Sequence, residues 1–170
     1  MGLVANIKRN MRFAKGLRRL LKRIKPIELD SADLVCDDWE EAVDRFGDRV
    51  AIVDDRRTVT YRELDAFMDR MAVALQREGV GNADVAAICA SSSVEYGATF
   101  FGILRAGGVV APLAPSSTPE SLVVQLNDCG AKVFFLDKAV SDALKGVAGQ
   151  IKAQRVALDG SDAGLNLEQW

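Results

Sequence analysis

Apolar and polar residues along this chain follow a helical spacing in some segments and strand-like patterns in others. Four apolar residues at helical spacing, ended by a glycine, predict a short first helix: Trp39, Ala42, Val43 and Phe46. We expect residues 25–37, which precede it, to form an irregular acidic linker. RVAIVDD and RTVTY are rich in β-branched residues and flank a polar turn at residues 54–57, which predicts a hairpin.

The next segment predicts a longer helix with a defined start. Thr60 and Glu63 have the spacing of a capping box, in which each side chain binds the other residue's backbone N–H. An apolar stripe follows on one face and indicates a buried side, and Gly79 marks the end. The stripe consists of Leu64, Phe67, Met68, Met71 and Leu75.

From residue 85 onward, predicted strands and helices alternate. DVAAICA, VVAPL, KVFFLD and RVALD read as strands, and we expect VVAPL to be an interior one. Helices are predicted after the cap at Ser91–Ser93, after Thr118 and Pro119, and over residues 138–148. Strands joined by single helices predict an α/β fold, a mainly parallel sheet with helices on both faces. We expect GSDAGLNLEQW to leave the last strand uncovered, which suggests that more chain follows.

A basic arm precedes this body. Residues 1–27 hold nine lysines and arginines and no acid, whereas residues 28–170 hold thirteen bases and twenty-four acids. On a helix, seven of these bases fall within an arc of about 140°, opposite an apolar side. They are Lys8, Arg9, Arg12, Lys15, Arg19, Lys22 and Arg23.

This pattern is typical of a helix that lies in a membrane interface, where its bases contact anionic lipid. Two alternatives stay open: a helix packed on the body or a partner, and a targeting peptide, although the arm has no serine. Nucleic acid is a poor partner because the body is acidic and the arm has Phe13 alone as a stacking residue.

Composition narrows the chemistry further. The chain has no histidine, so neither a Ser-His-Asp triad nor the usual zinc ligand sets can be assembled from it. Cys36, Cys89 and Cys129 are widely spaced and odd in number, which argues against a disulfide framework and for a reducing compartment. Because no secretory signal or apolar run of about 20 residues is present, we expect a cytoplasmic protein, in peripheral contact with the inner face of a membrane if the arm binds lipid.

Three short segments are candidates for binding or catalysis. ASSSVEY places serines at a helix N-terminus, where anions are favoured, but simple capping with Glu95 in the first turn explains it better. PSSTPES lacks the glycine and lysine of a phosphate loop and is better explained as a stiff turn with a helix cap. The pairs at residues 37–38 and 54–55 are carboxylates in or beside predicted turns, which favours solvated residues over acid/base or metal groups.

Several of these segments, in this order, resemble a known family. TVTYRELDAFMDRMAVAL, followed by VAAICASSSVEYGATFFGILRAGGVVAPLAPSSTPESLVVQLNDCGAKVFFLD, resembles the front part of the adenylate-forming enzymes, the superfamily of acyl-CoA synthetases, luciferases and nonribosomal adenylation domains. The resemblance covers about residues 36–160. Together with the basic arm it favours the N-terminal part of a fatty-acid or other carboxylic acid–CoA ligase. We therefore divide the chain into the basic amphipathic helix over residues 1–27, indicated by its own pattern, and a partial AMP-binding domain over residues 28–170, implied by the resemblance and truncated before the family's nucleotide-binding motifs.

The resemblance implies a two-step ligation. ATP and a carboxylic acid give an acyl-adenylate, and a thiol, usually coenzyme A, then takes the acyl group with magnesium assisting. The family's Ser/Thr/Gly-rich phosphate loop and its catalytic lysine have no match in residues 1–170. We therefore assign no catalytic, cofactor-binding or metal-binding residue, and we expect the isolated chain to be inactive. The alternatives are a non-catalytic membrane-associated interaction module and part of an adenylation module that serves a carrier protein.

Overall fold

The structure is a computed structural model that describes residues 35–167 and Trp170. Contacts divide the chain into a first unit, Met1–Leu34, and a second unit, Val35–Trp170. The predicted basic helix over residues 1–27, with its seven membrane-contact candidates, lies outside the described residues. The architecture below is that of the second unit.

The second unit opens with helix α1, Val35–Phe46. The expectation of an irregular linker through residue 37 is therefore wrong at its last three positions, and Asp37 and Asp38 lie in a helix and not in a turn. The helix propensity of aspartate is less than about 0.7 kcal/mol below that of alanine, so the pair does not prevent a helix. The predicted hairpin is confirmed: β1, Val50–Val53, pairs antiparallel with β2, Thr58–Thr60.

Helix α2, Tyr61–Arg77, begins with the predicted capping box. The backbone N–H of Glu63 donates to Oγ1 of Thr60 over 3.3 Å, and the backbone N–H of Thr60 donates to Oε2 of Glu63 over 2.8 Å. The helix ends before Gly79, whose φ of +74° suits a residue without a Cβ. Its buried face matches the predicted stripe, except that Phe67 is half-buried and Ala72 is buried.

The remaining strands form one parallel sheet in the order β4-β3-β5-β6-β7. They are β3, Val85–Cys89; β4, Val109–Pro112; β5, Val133–Leu136; β6, Gln154–Ala157; and β7, Leu165–Asn166. The connecting segments are α3, Val94–Arg105; α4, Pro119–Asp128; α5, Lys138–Leu144; and a 3-10 turn, Ala148–Gln150.

Alternate residues of the central strands face opposite sides of this sheet. Ile88 and Phe135 pack with α2 and α3, whereas Phe134 and Leu136 pack with α4 and α5. All four of these side chains are fully buried. The expected α/β fold with helices on both faces of a parallel sheet is confirmed.

Two expectations about the edges of the sheet are wrong. VVAPL is not an interior strand, because the chain places β5 on the far side of β3 and leaves β4 at the edge, with Val109 about half exposed. The last predicted strand, β6, is not uncovered, because Leu165 and Asn166 form β7 beside it. The sequence pattern misses β7 because two residues are too few to show a period.

Candidate functional site

The order of the strands locates the ligand side of the sheet. After β3 the chain moves to β4 on one side and then crosses to β5 on the other, so the connections diverge between β3 and β5. In open parallel sheets, ligands bind outside the carboxyl ends of the strands at such a point. Ser91 follows β3 and Asp137 follows β5, so the loops that carry them meet there.

Two aspartates tie the loops together at this edge. Oδ2 of Asp137 accepts the backbone N–H of Ser91 over 2.8 Å, and its Oδ1 accepts the N–H of Val140 in the first turn of α5 over 2.9 Å. Oδ2 of Asp159 accepts the N–H of Lys138 over 2.9 Å. Partial burial opposes ionisation of Asp159, but hydrogen bonds from Ser161 and Lys138 outweigh it and lower the pKa. Both carboxylates therefore act as caps.

A third aspartate connects the hairpin to the same edge. Oδ1 of Asp54 accepts the backbone N–H groups of Arg56 and Arg57 over 2.9 and 2.8 Å, and its Oδ2 accepts the N–H of Val94, which opens α3, over 2.9 Å. The bond from Val94, followed by those from Arg57 and Arg56, lowers the pKa of Asp54 to about 2. The prediction of a merely solvated turn residue is thus wrong for Asp54, although Asp55 is exposed.

The serine segment before α3 serves as a helix cap. Oγ of Ser93 accepts the backbone N–H of Tyr96 over 3.1 Å, so the predicted cap is confirmed. Glu95, with a side chain 14% exposed, binds the guanidinium groups of Arg56 and Arg57 over 2.9 and 2.7 Å. The backbone N–H groups of Ser91, Val94 and Tyr96 thus already bind oxygen atoms of the protein. This supports capping over anion binding.

The segment PSSTPES also forms a helix cap. Oγ1 of Thr118 accepts the backbone N–H of Ser121 over 3.3 Å, and Pro119 lies at the start of α4. Proline suits this position because its missing N–H would have no partner within the helix. The structure thus confirms a stiff turn with a helix cap.

Beside the aspartate caps lies a cavity of about 410 Å³, which we call the carboxyl-edge cavity. It is lined by Asp54, Asp137 and Asp159 together with residues 91–93 and Lys138. Its lysine already pairs with Asp142. Asp54, Asp137 and Asp159 bind backbone N–H groups. Because the lining also includes Asp55 and Arg56, the cavity presents four carboxylates and two cations.

A larger cavity of about 620 Å³ lies between α2 and the last described residues, and we call it the arginine groove. Four arginines contribute to its lining: Arg56, Arg57, Arg70 and Arg77. Its apolar part includes Phe67, Met71, Leu158 and Trp170. The volume is within the range of about 300–1,000 Å³ that is usual for small-molecule sites.

These cavities offer binding surfaces without an assembled catalytic centre. Across residues 35–167 and Trp170, no group of three or more His, Cys, Asp or Glu side chains is placed to hold a metal ion. Burial, with a smaller effect of the Asp137 charge, raises the pKa of the Cys89 thiol to about 11, so it is a poor nucleophile. The described part of the second unit is an α/β domain in which aspartate hydrogen bonds join the loops at the carboxyl edge of the sheet.

Comparison with known proteins identifies the family of this domain. The profile described as AMP-binding enzyme matches residues 39–168. The chain therefore belongs to the AMP-binding, or adenylate-forming, enzyme family, as the resemblance implied. The match covers most of the second unit and lies almost wholly within the described residues.

Two curated relatives represent two branches of the family. Zwittermicin A synthase ZmaJ of Bacillus cereus is 35% identical over 133 residues, which are 76% of this chain and 25% of that protein. The long-chain-fatty-acid–CoA ligase of Escherichia coli O6:H1 is 32% identical over 133 residues, 78% of this chain and 24% of that protein. The chain thus spans about a quarter of the length of these relatives.

A solved structure shares the fold. The anthranilate CoA ligase AuaEII, crystallised with anthranoyl-AMP, superposes with a TM-score of 0.78 at 20% identity, over 86% of this chain and 28% of that one. The similarity supports assignment of the fold to the N-terminal region of the large domain. Within residues 35–167, no helix is both long and apolar enough to cross a bilayer.

Proposed function

We propose that this chain is the N-terminal portion of an acid–CoA ligase. Such an enzyme activates a carboxylic acid with ATP as an acyl-adenylate and then transfers the acyl group to coenzyme A. The family match over residues 39–168 is the observation that carries the proposal. Similarity to a long-chain-fatty-acid–CoA ligase favours a fatty or other lipid-like acid as substrate.

The role of this portion is to scaffold the large domain. Among the described residues no group of three or more His, Cys, Asp or Glu side chains is placed to hold a metal ion, and Asp54, Asp137 and Ser93 at the carboxyl edge already accept protein N–H groups. No step through ATP, magnesium or coenzyme A is therefore derived from them. The aspartate caps instead hold the loops at the carboxyl edge in place for the rest of an enzyme.

A chimaera tests this role. Residues 35–170 replace the matching segment of the Escherichia coli long-chain-fatty-acid–CoA ligase, and ATP–pyrophosphate exchange is measured with a panel of fatty acids. We expect exchange from the chimaera and none from the 170-residue chain alone. A matched chimaera with Phe135→Asp, which puts a charge into the core, controls for exchange that is independent of the segment. Exchange by the 170-residue chain, or a folded chimaera without exchange, would contradict the proposal.

A second candidate function concerns the thiol that receives the acyl group. The similarity to zwittermicin A synthase ZmaJ favours an adenylation module that serves a carrier protein in place of coenzyme A. The ligase and the adenylation module can be distinguished with a full-length protein that contains this segment, supplied either with coenzyme A or with a carrier protein. Thioester on coenzyme A supports the ligase, and thioester on the carrier protein supports the module.

The basic arm adds a proposal about location. Its nine bases and apolar side suit peripheral contact with an anionic membrane, with about 1 kcal/mol for each base near the surface. Co-sedimentation of the chain with vesicles of anionic lipid at low salt is expected, and it should fall as salt rises. A chain with glutamine at Lys8, Arg12, Lys15 and Arg19 should stay in the supernatant. Equal sedimentation with neutral vesicles would contradict the proposal.

A further inference from the structure

The wall of the arginine groove that α2 provides is an apolar surface that no described residue covers. Val73 lies in the middle of this helix, lines the groove and is 65% exposed. Phe67 and Ala74 on the same helix, and Leu167 across the groove, are half-buried. Contiguous exposed apolar surface marks a place where a protein contacts another segment or a ligand. The groove therefore has an apolar face that is available for packing.

The charged residues of this wall are cations whose carboxylate contacts are weak. Arg70 lies over the ring of Phe67, with its guanidinium carbon 5.2 Å from the ring centroid. The ion-pair contact of Arg77, to the adjacent Glu78, is 4.0 Å long. A charge that is buried without a partner is costly. A segment that covers this wall must therefore supply carboxylates to the two arginines.

The opposite wall contains a buried donor without an acceptor. Trp170 is 8% exposed and packs edge-on against Phe135, with ring centroids 5.3 Å apart. No described residue accepts a hydrogen bond from its indole Nε1, which is buried. Because a buried N–H without a partner costs about 1–3 kcal/mol, an oxygen atom of a covering segment would be stabilising here.

We propose that the arginine groove is an internal packing face of the full ligase, covered by an acidic and partly apolar segment from the part of the enzyme outside this chain. The inference rests on the proposed function. The chain spans about a quarter of the length of its curated relatives, so most of such an enzyme is available to supply the segment. The segment packs on Val73 and Phe67, pairs its carboxylates with Arg70 and Arg77, and accepts the indole N–H of Trp170.

Val124 on α4 supplies a matched control for Val73. The two valines are 66% and 65% exposed. Helix α4 packs on the face of the sheet opposite α2, and Val124 does not line the groove. A segment that covers the groove therefore shields residue 73 and leaves residue 124 accessible.

Thiol labelling of Val73→Cys and Val124→Cys tests the packing face. Each variant is made in the 170-residue chain and in the chimaera with the Escherichia coli ligase, and a thiol reagent is followed by mass spectrometry of the peptide that holds the new cysteine. We expect similar labelling rates for the two positions in the 170-residue chain. In the chimaera, labelling of residue 73 should be slower by about tenfold or more, since burial protects a thiol, and that of residue 124 should be unchanged. A chimaera with zwittermicin A synthase ZmaJ gives a second measurement if the first does not fold.

Replacement of the arginines tests the charge of the covering segment. Arg70→Gln with Arg77→Gln should speed labelling of residue 73 in the chimaera and leave it unchanged in the 170-residue chain. Arg62→Gln on the same helix, outside the groove, should change neither rate. An unchanged rate in the chimaera with both arginines replaced would overturn the assignment of an acidic segment.

The labelling rates are read independently of ATP–pyrophosphate exchange. Equal labelling of residues 73 and 124 in a chimaera that performs exchange would overturn the packing face and leave the proposed function intact. Slow labelling of residue 73 in a folded chimaera without exchange would support the packing face and contradict the proposed function. Slow labelling of residue 73 in the 170-residue chain itself would also overturn the inference, because the groove would then be covered without the rest of the enzyme.

Discussion

Gly102 of α3 packs directly against Met68 and Met71 of α2, and its replacement by alanine gives a sharp test of the fold. A Cβ added at Gly102 would lie 2.5 Å from Cβ of Met71 and 3.2 Å from the carbonyl oxygen of Met68. Carbon atoms in contact prefer about 3.5–4.0 Å, so the helices would have to separate locally by roughly 1 Å. The clash is with atoms that no rotamer change can move.

Gly97 supplies a matched control on the same helix. There an added Cβ would lie 2.9 Å from Cδ1 of Ile52, the far end of a side chain that can turn away. Replacement of glycine by alanine within a helix gains about 1 kcal/mol of intrinsic propensity at either position. Overpacking of a core contact costs about 1–3 kcal/mol, and that cost applies at Gly102 alone.

Equilibrium urea unfolding of the two variants measures the difference. We expect Gly97→Ala to match or exceed the stability of the parent chain and Gly102→Ala to unfold more easily than Gly97→Ala by about 1–3 kcal/mol. With a slope of about 2 kcal/mol per molar urea, the midpoints differ by about 1 M. If Gly102→Ala unfolds at the same urea concentration as Gly97→Ala, or at a higher one, the close packing of α2 on α3 is refuted.

Three further predictions follow from the contacts described above. Because the pKa of Asp54 is lowered from 3.8 to about 2, its stabilising contribution is present above pH 3.8 and is lost as the pH falls towards 2. Asp54→Asn should therefore flatten the pH dependence of the urea midpoint between these pH values. An unchanged slope would contradict the role of this carboxylate. Arg105→Lys should cost about 1 kcal/mol in urea unfolding, since one ammonium cannot reproduce the guanidinium bonds of 2.7 and 2.6 Å to Asp65 and Asp69; a value within error of the parent chain would argue against this link. In a Cys36→Ser background the buried thiol of Cys89 should resist a thiol reagent at pH 8 until the protein is unfolded, whereas Cys129 should react in the folded protein. Modification of Cys89 in the folded protein at the rate of Cys129 would contradict the burial of Cys89.

Local signals in the sequence predicted most of the elements in the second unit. The capping box at Thr60, the serine cap at Ser93 and the proline at the start of α4 each depend on residues within four positions of one another. Strands β3, β4 and β5 were visible because they are continuous apolar runs, which is typical of parallel sheets covered on both faces. The hairpin strands were indicated by β-branched residues around a polar turn. Such signals do not depend on where the element lies in the fold.

The features that sequence reasoning missed depend on contacts across the fold. Asp54 and Val94 are forty residues apart, and Ser91 and Asp137 forty-six, so no local pattern indicates that one caps the other. The position of β4 at the edge depends on the direction in which the chain crosses after α4. An apolar run has the same sequence pattern in an edge strand as in an interior strand. The arginine groove likewise combines residues from α2, the hairpin turn and the chain end, so it is visible only in three dimensions.

The position of Pro112 in β4 affects how the sheet can grow. Val109 and Leu113 donate their backbone N–H groups to Asp84 and Ile88, along the side of β4 that faces β3. Alternation along a strand turns the nitrogen of residue 112 to the opposite side, where proline has no hydrogen to donate. If a second copy of the sheet paired with this edge, its carbonyl oxygen opposite Pro112 would have no N–H partner. The proline therefore makes the open edge a poor template for fibre-like stacking of identical chains, at no cost to the pairing of β4 with β3.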